Sequence, residues 1–275
     1  IDADGRSLVG SHHTGRWRRV YRGMGLVGCC GAPVAWMSDS SYALLQAQHP
    51  YIRRRGRTTK SQAHALDALI APFRALPEDI VQADDSRAVG IEIGFGMGHA
   101  FFDWASSSQD WRLFGIELYQ PGIGALVHRL HEAQLTQVKI LELPAQSVFA
   151  AIADESIDEI RIFFPDPWPK KRHFKRRLIQ PEFVSVLART LKKGGILRIA
   201  TDWLAYADWI RQCLAAESRL LCHMDNIRAA SAPGVDGVRE LTNFEKRGER
   251  LGHDIHDMVY VRDDAADGHD RDSSD

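Results

Sequence analysis

Residues Ile162 to Arg177 read IFFPDPWPKKRHFKRR. Three apolar residues stop at Asp166, which stands between Pro165 and Pro167. Trp168 and Pro169 then lead into six Lys/Arg within eight positions, Lys170 to Arg177. Prolines on both sides restrict the backbone around the carboxylate, so a buried strand ending here delivers Asp166 on a stiff support to the rim of a sheet. Rims are where α/β folds keep their chemistry. A carboxylate so placed can handle a proton or clamp hydrogen-bond donors, and the cationic run behind it suits phosphate. A plain reading is a strand followed by a solvated charged loop. The single sign of the charges and the cost of three prolines with a tryptophan speak against it.

A second chemical stretch lies upstream. Ala88 to Gly98, AVGIEIGFGMG, is a short apolar strand entering a glycine turn, with a helix expected from His99 to Ala105. Strand, glycine turn and helix form the first unit of a nucleotide-binding α/β fold, where glycine lets a ligand approach the backbone closely. The spacing at Gly94, Gly96 and Gly98 is G-x-G-x-G. It is not the dinucleotide G-x-G-x-x-G, because His99 occupies the third glycine's place. Leu113 to Leu118 is a second buried strand, and its Glu117 can accept two hydrogen bonds from a ribose. Glu92, two residues before the turn, falls near the other end of such a ligand.

These residues need a scaffold. Apolar spacing predicts a helix from Gln62 to Leu76 closed by Pro77, a helix from Gly122 to Gln134, and a third strand from Val138 to Leu143. A helix around Phe149 to Ile152 precedes a fourth strand, Ile157 to Phe164. Pro181 starts a helix with Phe183, Val184, Leu187 and Leu191 as its buried stripe, stopped by Gly194-Gly195. The fifth strand, Ile196 to Ala200, runs into Thr201-Asp202-Trp203 and a helix from Leu204 to Ala215. Leu220 to Met224 and Met258 to Arg262 are expected to pair antiparallel around an insertion, residues 228–253. The alternation gives an α/β, Rossmann-like fold: a seven-stranded, mostly parallel sheet with an antiparallel last strand and helices on both faces.

The composition, 44% hydrophobic and 26% charged, is that of an ordinary soluble globular protein, and the net charge is −1. That value hides an asymmetry. Asp263 to Asp275 holds six Asp and one Arg, so residues 1–262 carry +4, clustered in the run after Asp166 and in HPYIRRRGRTTK, His49 to Lys60. Phosphate contact and a solvated turn are equally good readings of the latter cluster alone. Cys29, Cys30, Cys213 and Cys222 show neither C-x-x-C nor zinc spacing with His, so neither a metal site nor a disulfide framework is expected, in keeping with a reducing cytoplasm. The apolar stretch before Cys29 resembles a lipoprotein cleavage pattern but is too short and glycine-broken for a signal segment. No run of 18 apolar residues is present to span a membrane. Three parts are expected: an N-terminal arm, 1–48, poor in periodicity and largely disordered; a catalytic domain, 49–262; and a disordered acidic tail, 263–275. Met37 is a plausible natural start.

Taken together, the G-x-G-x-G turn, Glu117, FFPDPWPKKRHFKRR, LKKGGILRIATDW and TNFEKRG (Thr242 to Gly248) resemble the bacterial tRNA (guanine-N7)-methyltransferases over about Tyr51 to Arg262. The PDPW and TNFE runs are much more specific than the glycine turn. The resemblance implies a class I fold using S-adenosyl-L-methionine (AdoMet), contacted by Glu92, Gly94, Gly96, Gly98 and Glu117 and lying near Asp166. It implies Asp166 as the catalytic residue, Lys170 and Asp202 as substrate-binding, and Thr242, Asn243, Phe244 and Glu245 as closing over the substrate. Phe244 reads as a packing anchor within that group. The target would be a guanine of the tRNA variable loop, position 46 by convention, in a cytoplasmic monomer or homodimer. One departure stands out: such enzymes carry Asp or Asn followed by Ala after strand three, whereas this chain has Leu141-Glu142-Leu143-Pro144-Ala145. Either a main-chain group substitutes there or Glu142 shifts in.

Guanine N7 has an in-plane lone pair, so attack on a sulfonium methyl needs no prior deprotonation. What it needs is in-line placement, which in well-oriented systems lowers a barrier by roughly 7–11 kcal/mol. Asp166 therefore reads as a clamp on the guanine N1–H and N2–H₂ edge rather than a general base. Trp168 reads equally as a stacking platform for a base or as core packing, and Asp202 as a substrate ligand or a helix cap. Two rival readings are a small-molecule methyltransferase, which would not need the basic clusters, and a non-catalytic AdoMet- or RNA-binding protein.

Overall fold

The computed structural model describes residues 56–81, 85–229 and 254–263. The arm, all of the acidic tail except Asp263, and the insertion after Ala229, with Thr242, Asn243, Phe244 and Glu245, lie outside the described residues.

Seven strands form one sheet: β1 Val89–Ile93, β2 Arg112–Ile116, β3 Val138–Leu141, β4 Ile157–Phe163, β5 Leu191–Thr201, β6 Leu220–Ala229 and β7 Asp254–Arg262. Their spatial order is β3-β2-β1-β4-β5-β7-β6. The first five are parallel, and β7 runs antiparallel to both β5 and β6. Every residue of β1 and β2 is buried, as expected of parallel strands covered on both faces.

One face is covered by α1 (Lys60–His64), α2 (His99–Ser107) and α3 (Gln120–Glu132), packed on Phe101, Trp104, Leu113, Leu126 and Ile140. The other carries α4 (Ala145–Ala151), α5 (Pro181–Thr190) and α6 (Leu204–Ala215), which pack on one another. Phe149 of α4 meets Phe183 of α5 edge to face at 5.6 Å. The expected fold class is therefore the observed one.

The departures have local causes. The helix expected from Gln62 to Leu76 survives only as α1, capped by Thr59, followed by a π turn at Ala65–Leu69 and 3₁₀ turns at Ala71–Phe73 and Pro77–Asp79. Pro72 has no N–H to donate and its ring obstructs the preceding turn, so a continuous helix cannot pass through it. Gly194-Gly195 does not stop α5. The helix ends at Thr190, Leu191 already belongs to β5, and Gly194 takes a left-handed turn (φ +75°) inside a register shift of that strand. β6 and β7 are longer than their apolar cores suggested, pairing as far as Ala229 and Asp254.

Burial pushes the Cys213 thiol up to about 11, whereas Cys222 is exposed. At pH 8, maleimide should label Cys222 in the native protein and reach Cys213 only after denaturation; mass spectrometry of labelled peptides checks this.

Candidate active site

Strand register gathers the chemistry at one edge. Ile93 of β1 pairs with Ile162 of β4, and Phe163 of β4 pairs with Ala200 of β5. Beyond those pairs the ladder closes with Gly94 N–H donating to Ile116 O (2.8 Å), Glu117 N–H to Leu141 O (3.2 Å) and Phe164 N–H to Ala200 O (2.8 Å). The glycine turn, Glu117, Asp166 and Asp202 thus leave four adjacent strands at their carboxyl ends. The strand order reverses between β1 and β4, making this the crevice where open α/β sheets bind ligands.

The glycine turn is built to stay open. Gly94, Gly96 and Gly98 all have left-handed backbone (φ +73°, +56° and +70°), and nothing stands within 4 Å of where a side chain at Gly94 or Gly96 would be. A ligand can lie directly on the main chain there. Glu117 holds the turn in place. Its Oε2 accepts from Gly96 N–H (2.8 Å), and its Oε1 accepts from Leu118 N–H (2.7 Å) and Tyr119 N–H (3.0 Å). That occupies about three of a carboxylate's four acceptor positions, a structural duty that spacing alone did not reveal. From the other side α3 presses on the turn: a Cβ at Gly122 would overlap the Gly96 carbonyl oxygen. Arg129 of α3 also donates to Met97 O. Glu92 is buried within β1.

After β3, Glu142 is held by Arg74 Nε–H (3.0 Å) and Gln120 Nε2–H (2.9 Å). Leu143 is buried and Pro144 precedes α4.

The Asp166 loop carries two residues in left-handed backbone, Phe164 (φ +52°) and Trp168 (φ +41°). Each non-glycine residue so held costs of order 1–3 kcal/mol and persists where the surroundings enforce it. Arg177 braces the loop next to Trp168. Although it ends the basic run, Arg177 is only 3% exposed. Its guanidinium lies over the rings of Phe174 (3.8 Å), Tyr206 (4.9 Å) and Trp209 (5.8 Å), and its Nε–H donates to Pro167 O at 3.0 Å. Burial lowers its pKa. Tyr206 and Trp209 both belong to α6 and both bond the main chain of Ile179, the former accepting at 3.2 Å and the latter donating at 2.8 Å. The expectation that the whole run from Lys170 to Arg177 meets phosphate is thus corrected at its last residue. A buried cation enclosed by three rings cannot grip a solvent-borne phosphate; Arg177 ties the Asp166 loop to α6.

Lys170, Lys171, Arg172 and Lys175 are exposed around that loop, as is Asp166 itself. Asp202 is half-buried and stands one residue before the N-cap position of α6, which is Trp203 and makes no side-chain cap bond. Trp203 and Leu204 are exposed apolar residues beside it. Trp168 is half-buried, edge-on to His173 (5.6 Å) and under Arg176 (5.2 Å), so it is not a core residue. Of the second basic cluster, Arg57 and Lys60 are described and exposed. Gly56 packs against Tyr119, just past the end of β2, which places Gly56 on the same edge of the sheet as Asp166.

The sequence matches the family model for putative methyltransferases over residues 86–258, more than half of the chain. The tRNA (guanine-N(7)-)-methyltransferase of Paracidovorax citrulli is 43% identical over 227 residues, covering 80% of this chain and 89% of the relative. The chain belongs to that family. Other tRNA (guanine-N(7)-)-methyltransferases agree: that of Methylobacillus flagellatus is 40% identical over 220 residues (77% of this chain, 90% of the relative), and that of Nitrosomonas europaea 40% over 226 residues (78% and 99%). As a member of the tRNA (guanine-N(7)-)-methyltransferases the chain is an enzyme. Its Asp166 loop, the basic run after it and the glycine turn all fall within residues 86–258.

Among the described residues no helix is long and apolar enough to cross a membrane.

Proposed function

We propose that this chain transfers the methyl group of AdoMet to N7 of a guanine in tRNA, variable-loop guanine 46, and that Asp166 is the residue on which transfer depends. The observation that carries the reading is the convergence of an open glycine turn, Asp166 and Asp202 at one sheet edge, beside exposed Lys170, Lys171, Arg172 and Lys175, with Arg57 and Lys60 also exposed. A small neutral substrate gives no reason for those cations, whereas RNA binding depends on them.

The cradle over Gly94 and Gly96 fits a ligand that lies on the backbone, and Glu117 keeps roughly one acceptor position for a ribose hydroxyl. With Glu142 engaged by Arg74 and Gln120, the adenine end would meet the apolar side chain and main chain of Leu143 and Pro144. When bound, AdoMet supplies an electrophilic methyl and nothing else. Asp166 accepts from guanine N1–H and N2–H₂, orients N7, and favours the positive charge that arrives on the purine ring. Adenine lacks that pair of donors and is rejected. Lys170 and Asp202 hold the nucleotide, the insertion with Thr242 and Glu245 closes over it, and exposed Lys and Arg position the phosphates without reading sequence.

Incubation with AdoMet and unmodified tRNA, followed by chain cleavage at N7-methylguanine, should give a single cut in the variable loop. No cut, or cuts at many unrelated guanines, refutes the proposal. Gly122→Ala should weaken AdoMet binding by about 5- to 150-fold, because the new methyl displaces the Gly96 carbonyl by a steric clash costing about 1–3 kcal/mol; calorimetric titration measures it.

A further inference from the structure

Beside the Asp166 loop, α4, α5 and the 3₁₀ turn Lys171–Arg176 enclose a cavity of about 300 Å³. Its walls are mainly apolar, with Phe183 and Val186 of α5 and Trp168 from the loop. Two features do not suit a packing defect. Gln146 of α4 lines it and has a buried side-chain oxygen, Oε1, with no hydrogen-bond partner. A buried amide left unsatisfied costs about 1–3 kcal/mol. The other feature is charge: Lys175 and Arg176 stand on the lining beside the Trp168 loop, with the Glu182 carboxylate on the α5 side.

We propose that this cavity takes the base of an unpaired tRNA nucleotide adjoining the methylated guanine. The inference rests on the tRNA reading of the preceding section and names a further part of that substrate. Asp166 and Trp168 are two residues apart, hence within about 7 Å along the chain, comparable with one step of a splayed sugar–phosphate backbone. A nucleotide whose neighbour is clamped at Asp166 can therefore place its base against the Trp168 ring. Splayed bases are recognised by stacking on aromatic rings and by hydrogen bonds to their edges. The Gln146 side-chain oxygen is shut off from solvent and lacks a partner, so turning the amide toward the cavity lets it accept from a base; with the Glu182 carboxylate also on the lining, the cavity favours a base edge bearing N–H donors and disfavours phosphate inside. Lys175 and Arg176, beside the Trp168 loop, meet the phosphate that follows the base. Trp168 is then half-buried because it forms the wall between two nucleotides, which accounts for a tryptophan that belongs to neither the core nor open solvent.

The test uses the full chain and unmodified tRNA. Gln146→Leu removes the acceptor at nearly constant shape, and Ala150→Phe narrows the cavity from an exposed position of α4. Each should weaken tRNA binding roughly tenfold, the scale of one buried hydrogen bond or one stacked base, and leave the AdoMet dissociation constant unchanged. A tRNA lacking the base immediately 5′ or 3′ of the target guanine should lose the same factor with the parent chain and no more with Gln146→Leu. Parental tRNA affinity in both variants, or losses that multiply on the base-free tRNA, overturns the subsite. Robust N7 methylation by variants that bind tRNA like the parent overturns the subsite alone. Weakened tRNA binding by the variants, with no N7 methylation by the parent, overturns the activity and leaves the subsite standing.

Discussion

Asp166→Asn should lower kcat for methyl transfer about 10²–10³-fold, the scale seen when one preorganised group facing developing charge is removed, while AdoMet affinity changes by less than about threefold. The asparagine keeps size and backbone, so the loop between Pro165 and Pro167 retains its path. What changes is chemistry: one of the two acceptor oxygens facing the guanine N1–H and N2–H₂ edge becomes a donor, and the negative charge that favours the cationic product is gone. Single-turnover transfer to tRNA, measured beside calorimetric titration of AdoMet, separates the two effects. Equal losses in both would mean that Asp166 serves the cofactor rather than the guanine. Because N7 needs no deprotonation, the residual activity of the variant should also be independent of pH from about 6 to 8; a recovered slope would restore the general-base role that the clamp replaces.

The second large effect is expected away from the reacting atoms, at Arg177. Its guanidinium lies over three rings and donates to Pro167 O. Arg177→Lys keeps the charge but loses the flat, stacked fork and the Nε donor, so the loop next to Trp168 is no longer braced. Misplacing the neighbouring carboxylate by an ångström is worth about a hundredfold in rate, and kcat should fall by that order. Arg177→Met, which leaves the Pro167 carbonyl unpaired and removes the cation–π contacts, should destabilise the fold by about 2–4 kcal/mol. The salt dependence of tRNA binding distinguishes this positioning role from a phosphate grip. The slope of log Kd against log salt should be unchanged in Arg177→Lys and in folded Arg177→Met, yet shallower in Lys171→Ala, because Lys171 is exposed and Arg177 is not. A shallower slope in Arg177→Met would return Arg177 to the RNA surface.

These two residues show how far the linear chain carries the argument. Asp166 was legible because prolines and the end of an apolar run are local signals, and strand ends in α/β sheets are where function gathers. The glycine spacing and the succession of strands and helices along the chain were legible from short-range periodicity and punctuation, whereas the spatial order β3-β2-β1-β4-β5-β7-β6 came only from the structure. Arg177 was not. In sequence it is one of six like charges in eight positions, and only the rings of Phe174, Tyr206 and Trp209 distinguish it from Arg176 beside it. Glu117 shows the same limit. An acidic residue at the end of strand two was expected to serve a ribose, yet three main-chain N–H groups, one of them more than twenty residues back in the chain, already claim it.

The N-terminal helix failed on a signal that was present, since Pro72 was outweighed by apolar spacing. For Asp202 no local signal in Thr201-Asp202-Trp203 separates a helix cap from a substrate ligand, and only the structure shows that the helix takes Trp203 as its N-cap residue, without a side-chain cap bond. By itself, the sequence determined the class of fold, the position of the candidate acidic and glycine residues along it, and the sign of the surface beside them, because periodicity, punctuation and charge are properties of neighbours in the chain. Tertiary structure alone decided which charges are spent inside, which glycine must accept another segment's carbonyl, and that a cavity opens behind Trp168. Those are properties of neighbours in space, set by packing between elements that the chain holds tens of residues apart.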